Sequence, residues 1–179
     1  MLKGTRHKAG YTLVELLAVI SIMGILAGMG VVGFQTAVAH ARTKDAALNV
    51  AAYLERTANM ARQLNETLCV RKGSAANKLV TYKSACDANS MGDAVDQLIL
   101  ENQVSVVESG VDDVGGGGIN LVTSTDAKAS FVPRQGLSSA PYEGYIVVNY
   151  SGERGAAVKE KTKNSFKPKW NPSGSWSDL

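Results

Sequence analysis

The feature that most constrains this chain of 179 residues is an apolar run close to its N-terminus. Residues 13–34 contain a single charged side chain, that of Glu15. As an α-helix, a run of this length would extend about 33 Å, which is enough to cross the hydrocarbon core of a bilayer. The run therefore predicts a membrane-spanning helix. Its one carboxylate needs a partner, because an ionisable side chain inside a membrane is costly.

Basic residues flank this run unevenly. Lys3, Arg6 and Lys8 precede it closely, whereas Arg42 and Lys44 follow it at a greater distance. Because positively charged segments stay on the cytoplasmic side, the pattern predicts a cytoplasmic N-terminus and an exported C-terminal domain. The three basic residues Lys3, Arg6 and Lys8 also account for the whole formal net charge of +3. Charge alone therefore gives no argument for nucleic-acid binding by the rest of the chain.

Two cysteines, Cys69 and Cys86, bound a segment of hairpin size. In an oxidising compartment such a pair suits a disulfide, whereas in a reducing cell interior the two residues would be buried thiols. The predicted export of this part of the chain favours the disulfide. Its closure would stabilise the fold by roughly 3 kcal/mol in the chain-entropy model.

Three interpretations of the N-terminal segment differ in where the mature chain begins. A plain membrane anchor would keep Met1, and a secretory signal would be cut at small residues such as those of 39–41. Cleavage after Gly10 would instead give Tyr11 a new α-amine one helical turn from Glu15. In a stack of parallel helices, the amine of one subunit can pair with the carboxylate of its neighbour. Such a pair gives the buried charge a partner and fixes the axial register of the stack.

The residues KAG|YTLVELLAVISIMGILA resemble the class III leader junction of type IV pilins and type II secretion pseudopilins. The resemblance implies that a prepilin peptidase cuts between Gly10 and Tyr11 and methylates the new N-terminus on Tyr11. Counted from Tyr11, Glu15 is the fifth residue, as in that family, and it is expected to form the assembly charge pair. The family usually begins with Phe, so Tyr11 departs from its pattern.

A helical pattern continues beyond the apolar run and predicts one helix over about 12–65, like the long N-terminal helix of that family. Its second half is amphipathic, with an apolar stripe expected to pack in the core rather than to bind a ligand. The stripe consists of Ala47, Ala51, Leu54, Ala58, Ala61, Leu64 and Leu68.

After the helix, the pattern changes to short strands separated by turn residues. Seven strands are predicted, at 67–72, 78–83, 104–109, 119–124, 129–132, 145–150 and 156–161. The fold class is therefore α+β, with the long helix packed on a mostly antiparallel sheet domain, as in pilins. The predicted order is a leader peptide (1–10), a transmembrane and filament-core helix (11–34), its amphipathic continuation (35–66), an exported β-rich domain (67–163) and an irregular tail (164–179).

A second stretch resembles the C-terminal half of the GspH/FimT group of minor pilins and pseudopilins. In that group a strand ending in Phe-x-Pro-x-x-Gly precedes a Gly-led hydrophobic strand and a turn. Here the first pattern is formed by Phe131, Pro133 and Gly136, and the strand by 144–150. The turn of that group often carries a Gly-Arg-x-Arg-like run, whereas residues 152–155 read Gly-Glu-Arg-Gly, so a role attached to that run does not carry over.

The exported part offers little material for catalysis. The two histidines are His7, in the leader, and His40, at the membrane exit, and no nucleophile motif is present. The glycine run at 115–118 fits a flexible loop better than a phosphate loop. We therefore predict no enzymatic activity, no cofactor and no metal site. A calcium site remains an alternative to solvated loop charges for five aspartates, namely Asp87, Asp93, Asp96, Asp112 and Asp113.

The C-terminal region is rich in basic and aromatic residues. Its basic residues are Arg154, Lys159, Lys161, Lys163, Lys167 and Lys169, and its aromatic residues are Phe166, Trp170 and Trp176. Such a mixture can grip a nucleic-acid backbone and stack on bases, and some FimT-like minor pilins take part in DNA uptake. The favoured interpretation is a solvated strand edge protected by lysines, with the tryptophans packed on the domain.

Taken together, the sequence predicts a minor pilin or pseudopilin, a structural subunit anchored in the inner membrane with its C-terminal domain in the periplasm. Its expected partners are prepilin peptidase, other pilins in a helical filament, the membrane and secreted cargo. Two alternatives stay open: a DNA-binding minor pilin, and an exported binding protein unrelated to pili. The sequence does not distinguish a type IV pilus from a type II secretion system.

Overall fold

The computed structural model describes residues 11–84, 86, 92–106, 110–113, 120–123, 128–134, 136–137, 144–149, 152–159, 165–172 and 174–179. In these residues one long helix, α1 (Leu13–Leu64), precedes a series of short strands. The strands are β1 (Leu68–Lys72), β2 (Lys78–Lys83), β3 (Ala94–Ile99), β4 (Val104–Val106), β5 (Gly110–Asp113), β6 (Asn120–Thr123), β7 (Lys128–Val132), β8 (Gly136–Leu137), β9 (Gly144–Asn149), β10 (Arg154–Lys159), β11 (Phe166–Asn171) and β12 (Ser177–Asp178).

The strands form two five-stranded sheets and a separate hairpin. The first sheet has the order β3-β2-β1-β7-β8 and the second the order β12-β11-β10-β9-β4, while β5 pairs with β6. Every pairing is antiparallel. The predicted α+β class, a long N-terminal helix packed on antiparallel sheet, is confirmed.

The chain divides into two compact units, Met1–Val38 and Ala39–Leu179. In the first unit, the described side chains from residue 11 to residue 37 are all exposed. In the second unit, burial begins at once, with Ala39 at 2% exposure. The assignment of leader, membrane segment and exported domain stays a prediction.

The core of the second unit lies between α1 and residues of both large sheets. Leu54 of α1, Leu68 and Phe131 of the first sheet, and Ala157 and Phe166 of the second belong to one cluster of buried side chains. The helical stripe predicted from the sequence is buried at Ala47, Ala51, Leu54, Ala58 and Ala61. Burial of one such face contributes most of the stability of a helix of this kind.

Leu64, which was expected to continue the stripe, is 43% exposed because the helix ends there. Asn65 adopts a left-handed conformation with φ of 51°. The N–H of Glu66 donates to the carbonyl oxygen of Ala61 at 3.3 Å, which is the hydrogen bond of a Schellman cap. The chain therefore leaves the helix at Leu64 and enters β1 at Leu68.

The predicted irregular tail (164–179) is wrong, because β11 and β12 lie within it. Strand β11 contains Pro168, which usually argues against a strand. The carbonyl oxygen of Pro168 accepts a hydrogen bond from the N–H of Leu179, so it points away from β10, towards the side of the sheet on which β12 lies. No hydrogen bond to β10 is lost, and the proline is tolerated.

The prediction of seven strands is too low. It omitted β3, β5, β8, β11 and β12, which are either very short or poor in β-branched residues. Strand β3 forms one edge of the first sheet, and its pairing with β2 shifts register between Thr81 and Tyr82. That irregularity makes the periodicity of this segment hard to recognise in the sequence.

Candidate assembly site

The start of α1 carries a reciprocal pair of contacts between Thr12 and Glu15. The backbone N–H of Glu15 donates to Oγ1 of Thr12 at 3.2 Å, and the backbone N–H of Thr12 donates to Oε2 of Glu15 at 3.3 Å. The hydroxyl of Thr12 donates to the same carboxylate oxygen at 3.3 Å. This arrangement is a capping box, which satisfies backbone donors that an α-helix leaves free at its first turn.

The capping box gives Glu15 a role that was missed in the sequence. The spacing Thr-x-x-Glu before an apolar run is itself a signal of a helix start. Thr12 and its hydroxyl therefore belong to the candidate site beside Tyr11 and Glu15. Gly10 lies outside the described residues.

The carboxylate of Glu15 has neutral partners in the described part of the chain. Both of its hydrogen bonds come from Thr12, and no described lysine, arginine or histidine forms an ion pair with it. Hydrogen bonds from neutral groups leave the full negative charge in place. A cation from outside the described residues is therefore still needed if this turn enters a low-dielectric environment.

The helix that follows presents an extended apolar surface. Its large apolar side chains between Leu13 and Phe34 are 50% to 76% exposed. Exposed apolar surface of this extent marks a membrane or protein contact, because its exposure to water is energetically unfavourable. By length and composition α1 is apolar enough to cross a membrane, a test that a signal sequence also passes.

The two cysteines form a disulfide, Cys69–Cys86. Cys69 lies in β1, where it pairs with Tyr82 of β2 and Ser130 of β7. The bond therefore ties the middle of the first sheet to the segment that leaves β2. Both cysteines are buried, at 0% and 7% exposure.

The basic C-terminal residues divide between described and undescribed positions. Arg154 lies at the start of β10, and Lys167 and Lys169 lie in β11. Lys161, Lys163 and the side chain of Lys159 fall outside the described part. The expectation of a strand edge is wrong for β10, because this strand lies between β9 and β11.

The described lysines do not form an open cationic surface. Nζ of Lys169 lies 2.8 Å from Oδ1 of Asp178 in the paired strand β12. The hydrogen bond and positive charge of Lys169 lower the pKa of Asp178 below its usual range. Lys167 is exposed and, like Arg154, makes a further interaction within the described residues.

Trp170 packs on the domain, as expected. Its ring meets the ring of His40 edge-on, with centroids 5.3 Å apart, and Nζ of Lys44 lies 4.0 Å from its centroid. A ring occupied by an ammonium group offers less area for stacking on a base. Trp176 is half-buried.

The turn 152–155, which departs from the GspH/FimT pattern, has a structural role here. Gly152 has a φ of 84°, a conformation that favours glycine. The next residue, Glu153, is 8% exposed, and its Oε1 lies 2.6 Å from Nδ1 of His40. The acidic residue in place of an arginine therefore joins the turn between β9 and β10 to the helix.

A further polar cluster joins α1 to the first sheet. The hydroxyl of Tyr53 lies 2.6 Å from that of Thr81, and the guanidinium of Arg56 lies 3.2 Å from Asp96. Burial, reinforced by the negative charge of Asp96 and partly offset by the bond to Thr81, raises the pKa of Tyr53 to about 12. These contacts are those of a structural polar network.

The aspartates considered for calcium do not gather in the described residues. No group of three or more histidine, cysteine, aspartate or glutamate side chains suitable for a metal occurs there. The prediction of a solvated loop charge is wrong for Asp96, because this residue lies in β3 and pairs with Arg56. Asp87 and the side chains of Asp112 and Asp113 fall outside the described part.

Residues 5–31 match the model of the prokaryotic N-terminal methylation motif. The match covers 27 of the 179 residues and supports a type IV pilin-like class III leader. Such a leader implies processing by prepilin peptidase and assembly with other pilins. With the apolar helix, it fits anchoring in the inner membrane and, at a coarse level, a pilus or pseudopilus subunit. No curated protein and no solved structure matches the chain.

Proposed function

We propose that this protein is a minor pilin or pseudopilin of the GspH/FimT type, a structural subunit that assembles through its N-terminal helix. The observation that carries the proposal is the methylation motif over 5–31, at the start of a helix whose apolar face is exposed. The GspH/FimT assignment rests on Phe131, Pro133, Gly136 and the strand β9, and is the finer part of the proposal.

Maturation is the first step. Prepilin peptidase cuts between Gly10 and Tyr11 in the membrane and methylates the α-amine of Tyr11. The new amine is a cation near the start of α1, where the carboxylate of Glu15 has no cationic partner among the described residues. Thr12 remains in the mature chain, so the capping box persists after the cut.

Assembly is the second step. The amine of Tyr11 in one subunit pairs with the carboxylate of Glu15 in its neighbour, while the apolar surfaces of their helices pack together. In a site from which water is excluded, neither charge is favourable without the other. The exported domain, held by the Cys69–Cys86 disulfide, then decorates the filament in the periplasm and contacts sibling pilins or cargo.

The nature of the mature N-terminus tests this proposal. Mass spectrometry and N-terminal sequencing of the protein from native membranes are expected to give N-methyl-Tyr11. A mature chain that starts at Met1 would identify a plain anchor, and one that starts at Arg42 an ordinary secreted domain. Either result would contradict the pilin assignment.

DNA binding by the basic C-terminal region gains no support from the described contacts. Lys169 is paired with Asp178, and the ring of Trp170 is covered by Lys44. Gel shifts with the full chain test the alternative. Affinity that falls when Lys159, Lys161 and Lys163 are changed to alanine would restore it.

A further inference from the structure

Three side chains come together where the second unit of the chain begins. His40 and Lys44 lie one turn apart on α1, and both contact the ring of Trp170, which β11 brings to them. We call these three residues the exit cluster. All three are half-buried, so the cluster is partly open to its surroundings.

Lys44 has no acidic partner among the described residues of this region. Arg42 pairs with Glu101 at 3.1 Å, Lys169 pairs with Asp178, and His40 lies beside Glu153. In the described residues Lys44 forms no ion pair, and its Nζ lies over the ring of Trp170. A cation–π contact leaves ammonium hydrogens available for an anion.

The position of the exit cluster in the chain limits its distance from the apolar run. His40 follows Phe34 by six positions, and even a fully extended chain of that length covers only about 20 Å. If the apolar run lies in a bilayer, the cluster lies at or close to the membrane surface. Tryptophan and lysine are side chains that favour this zone. In the exit cluster the polar end is the ammonium of Lys44, because Nε1 of Trp170 is buried and its ring supplies apolar area.

We propose that Lys44 and Trp170 bind anionic phospholipid headgroups at the periplasmic surface of the membrane that holds the apolar run. The ammonium of Lys44 contacts the headgroup phosphate, and the indole of Trp170 lies at the level of the headgroups. This contact would hold the exported domain against the membrane before assembly. The inference rests on the membrane anchoring proposed above.

The test measures the depth and charge dependence of Trp170 in the full chain. The chain has two tryptophans, so Trp176→Phe leaves Trp170 as the one indole reporter. The protein is reconstituted in phosphatidylcholine vesicles with or without phosphatidylglycerol, which carry quenchers either at the headgroup or deep in the acyl chains. Flotation of the vesicles measures membrane insertion separately.

The headgroup quencher is expected to reduce Trp170 fluorescence more than the deep quencher, and more strongly with phosphatidylglycerol. Lys44→Gln should weaken binding of the exit cluster to the anionic membrane surface about fivefold, as expected for the loss of one basic residue. Arg62→Gln is the matched control, because Arg62 is an exposed cation near the far end of the same helix. It should leave the quenching unchanged.

Other outcomes overturn the inference in distinguishable ways. A chain that floats with the vesicles but shows no quenching of Trp170 would refute the headgroup contact and leave the proposed function standing. Quenching of Trp170 that is equal with and without phosphatidylglycerol would refute recognition of anionic lipid. A chain that does not float would refute both the anchoring and the contact. Loss of quenching on addition of short duplex DNA would make the cluster a nucleic-acid site instead.

Discussion

Glu15 combines two roles that a single substitution can separate. Glu15→Gln keeps a side-chain oxygen that can accept the N–H of Thr12, because glutamine also serves in a capping box. The same change removes the negative charge. Thr12→Ala does the reverse, since it removes the hydroxyl of the box and leaves the charge of Glu15 intact.

The two losses differ in magnitude. Loss of a helix cap costs about 1 kcal/mol. Two unit charges about 4 Å apart attract by roughly 4 kcal/mol at an effective dielectric constant of 20, and removal of one partner from a buried pair costs about 3–5 kcal/mol. Since 1.4 kcal/mol is about tenfold in an equilibrium constant, Glu15→Gln should reduce incorporation about 100-fold or more. Thr12→Ala should reduce it about fivefold.

The assay is co-expression of each variant with wild-type protein, followed by measurement of their ratio in sheared filaments and in membranes. The mass of the membrane-bound chain serves as the control, because both variants should still be cut after Gly10. Wild-type incorporation of Glu15→Gln, together with a larger defect in Thr12→Ala, would refute the reasoning. Glu15 would then act as a helix cap and not as half of a charge pair.

Three further predictions concern the stability of the second unit, residues 39–179. The double change Cys69→Ala and Cys86→Ala should lower the free energy of unfolding by roughly 3 kcal/mol in denaturant titrations, and an unchanged midpoint would contradict a structural disulfide. Because the folded-state pKa of Tyr53 is raised to about 12, the stability it confers is complete below pH 10 and falls between pH 10 and about 12. The total loss is at most about 2–3 kcal/mol, since one pKa unit corresponds to 1.36 kcal/mol. Tyr53→Phe should flatten alkaline unfolding curves in this window. Unfolding of His40→Ala, Glu153→Ala and the double variant should show a coupling free energy of about 0.5–3 kcal/mol, and strict additivity would mean that the 2.6 Å contact is energetically silent.

The sequence predicted the features that depend on local pattern. The apolar run, the buried stripe through Leu54 and the α+β class follow from periodicity and composition, which act over a few residues. Strand β11 was missed because Pro168 and its lysines argue locally against a strand. Its place in the sheet is fixed by pairing with β10 and by the N–H of Phe166, which donates to Oε1 of Glu55 at 3.0 Å.

The contacts of the exit cluster lay beyond what the sequence could predict. His40 and Trp170 are far apart in the chain, and no spacing rule links a histidine of α1 to strand β11. The same holds for His40 and Glu153 of the turn between β9 and β10. The capping box at Thr12 is different, because its Thr-x-x-Glu spacing is itself a local signal in the sequence.

An unpaired charge would be costly at Glu153, which is buried, and at Glu15 if its turn enters a membrane. The two carboxylates have different kinds of partner. Glu153 is buried, but a cation-capable side chain, His40, lies beside it within the same unit. The carboxylate of Glu15 has only neutral donors from Thr12 among the described residues. Glu153 therefore has a side-chain partner within its own unit, whereas the charge of Glu15 has no cation among the described residues. The α-amine that cleavage frees on Tyr11 of a neighbouring subunit would supply that cation. Folding therefore provides the partner of Glu153, whereas assembly would provide the partner of Glu15.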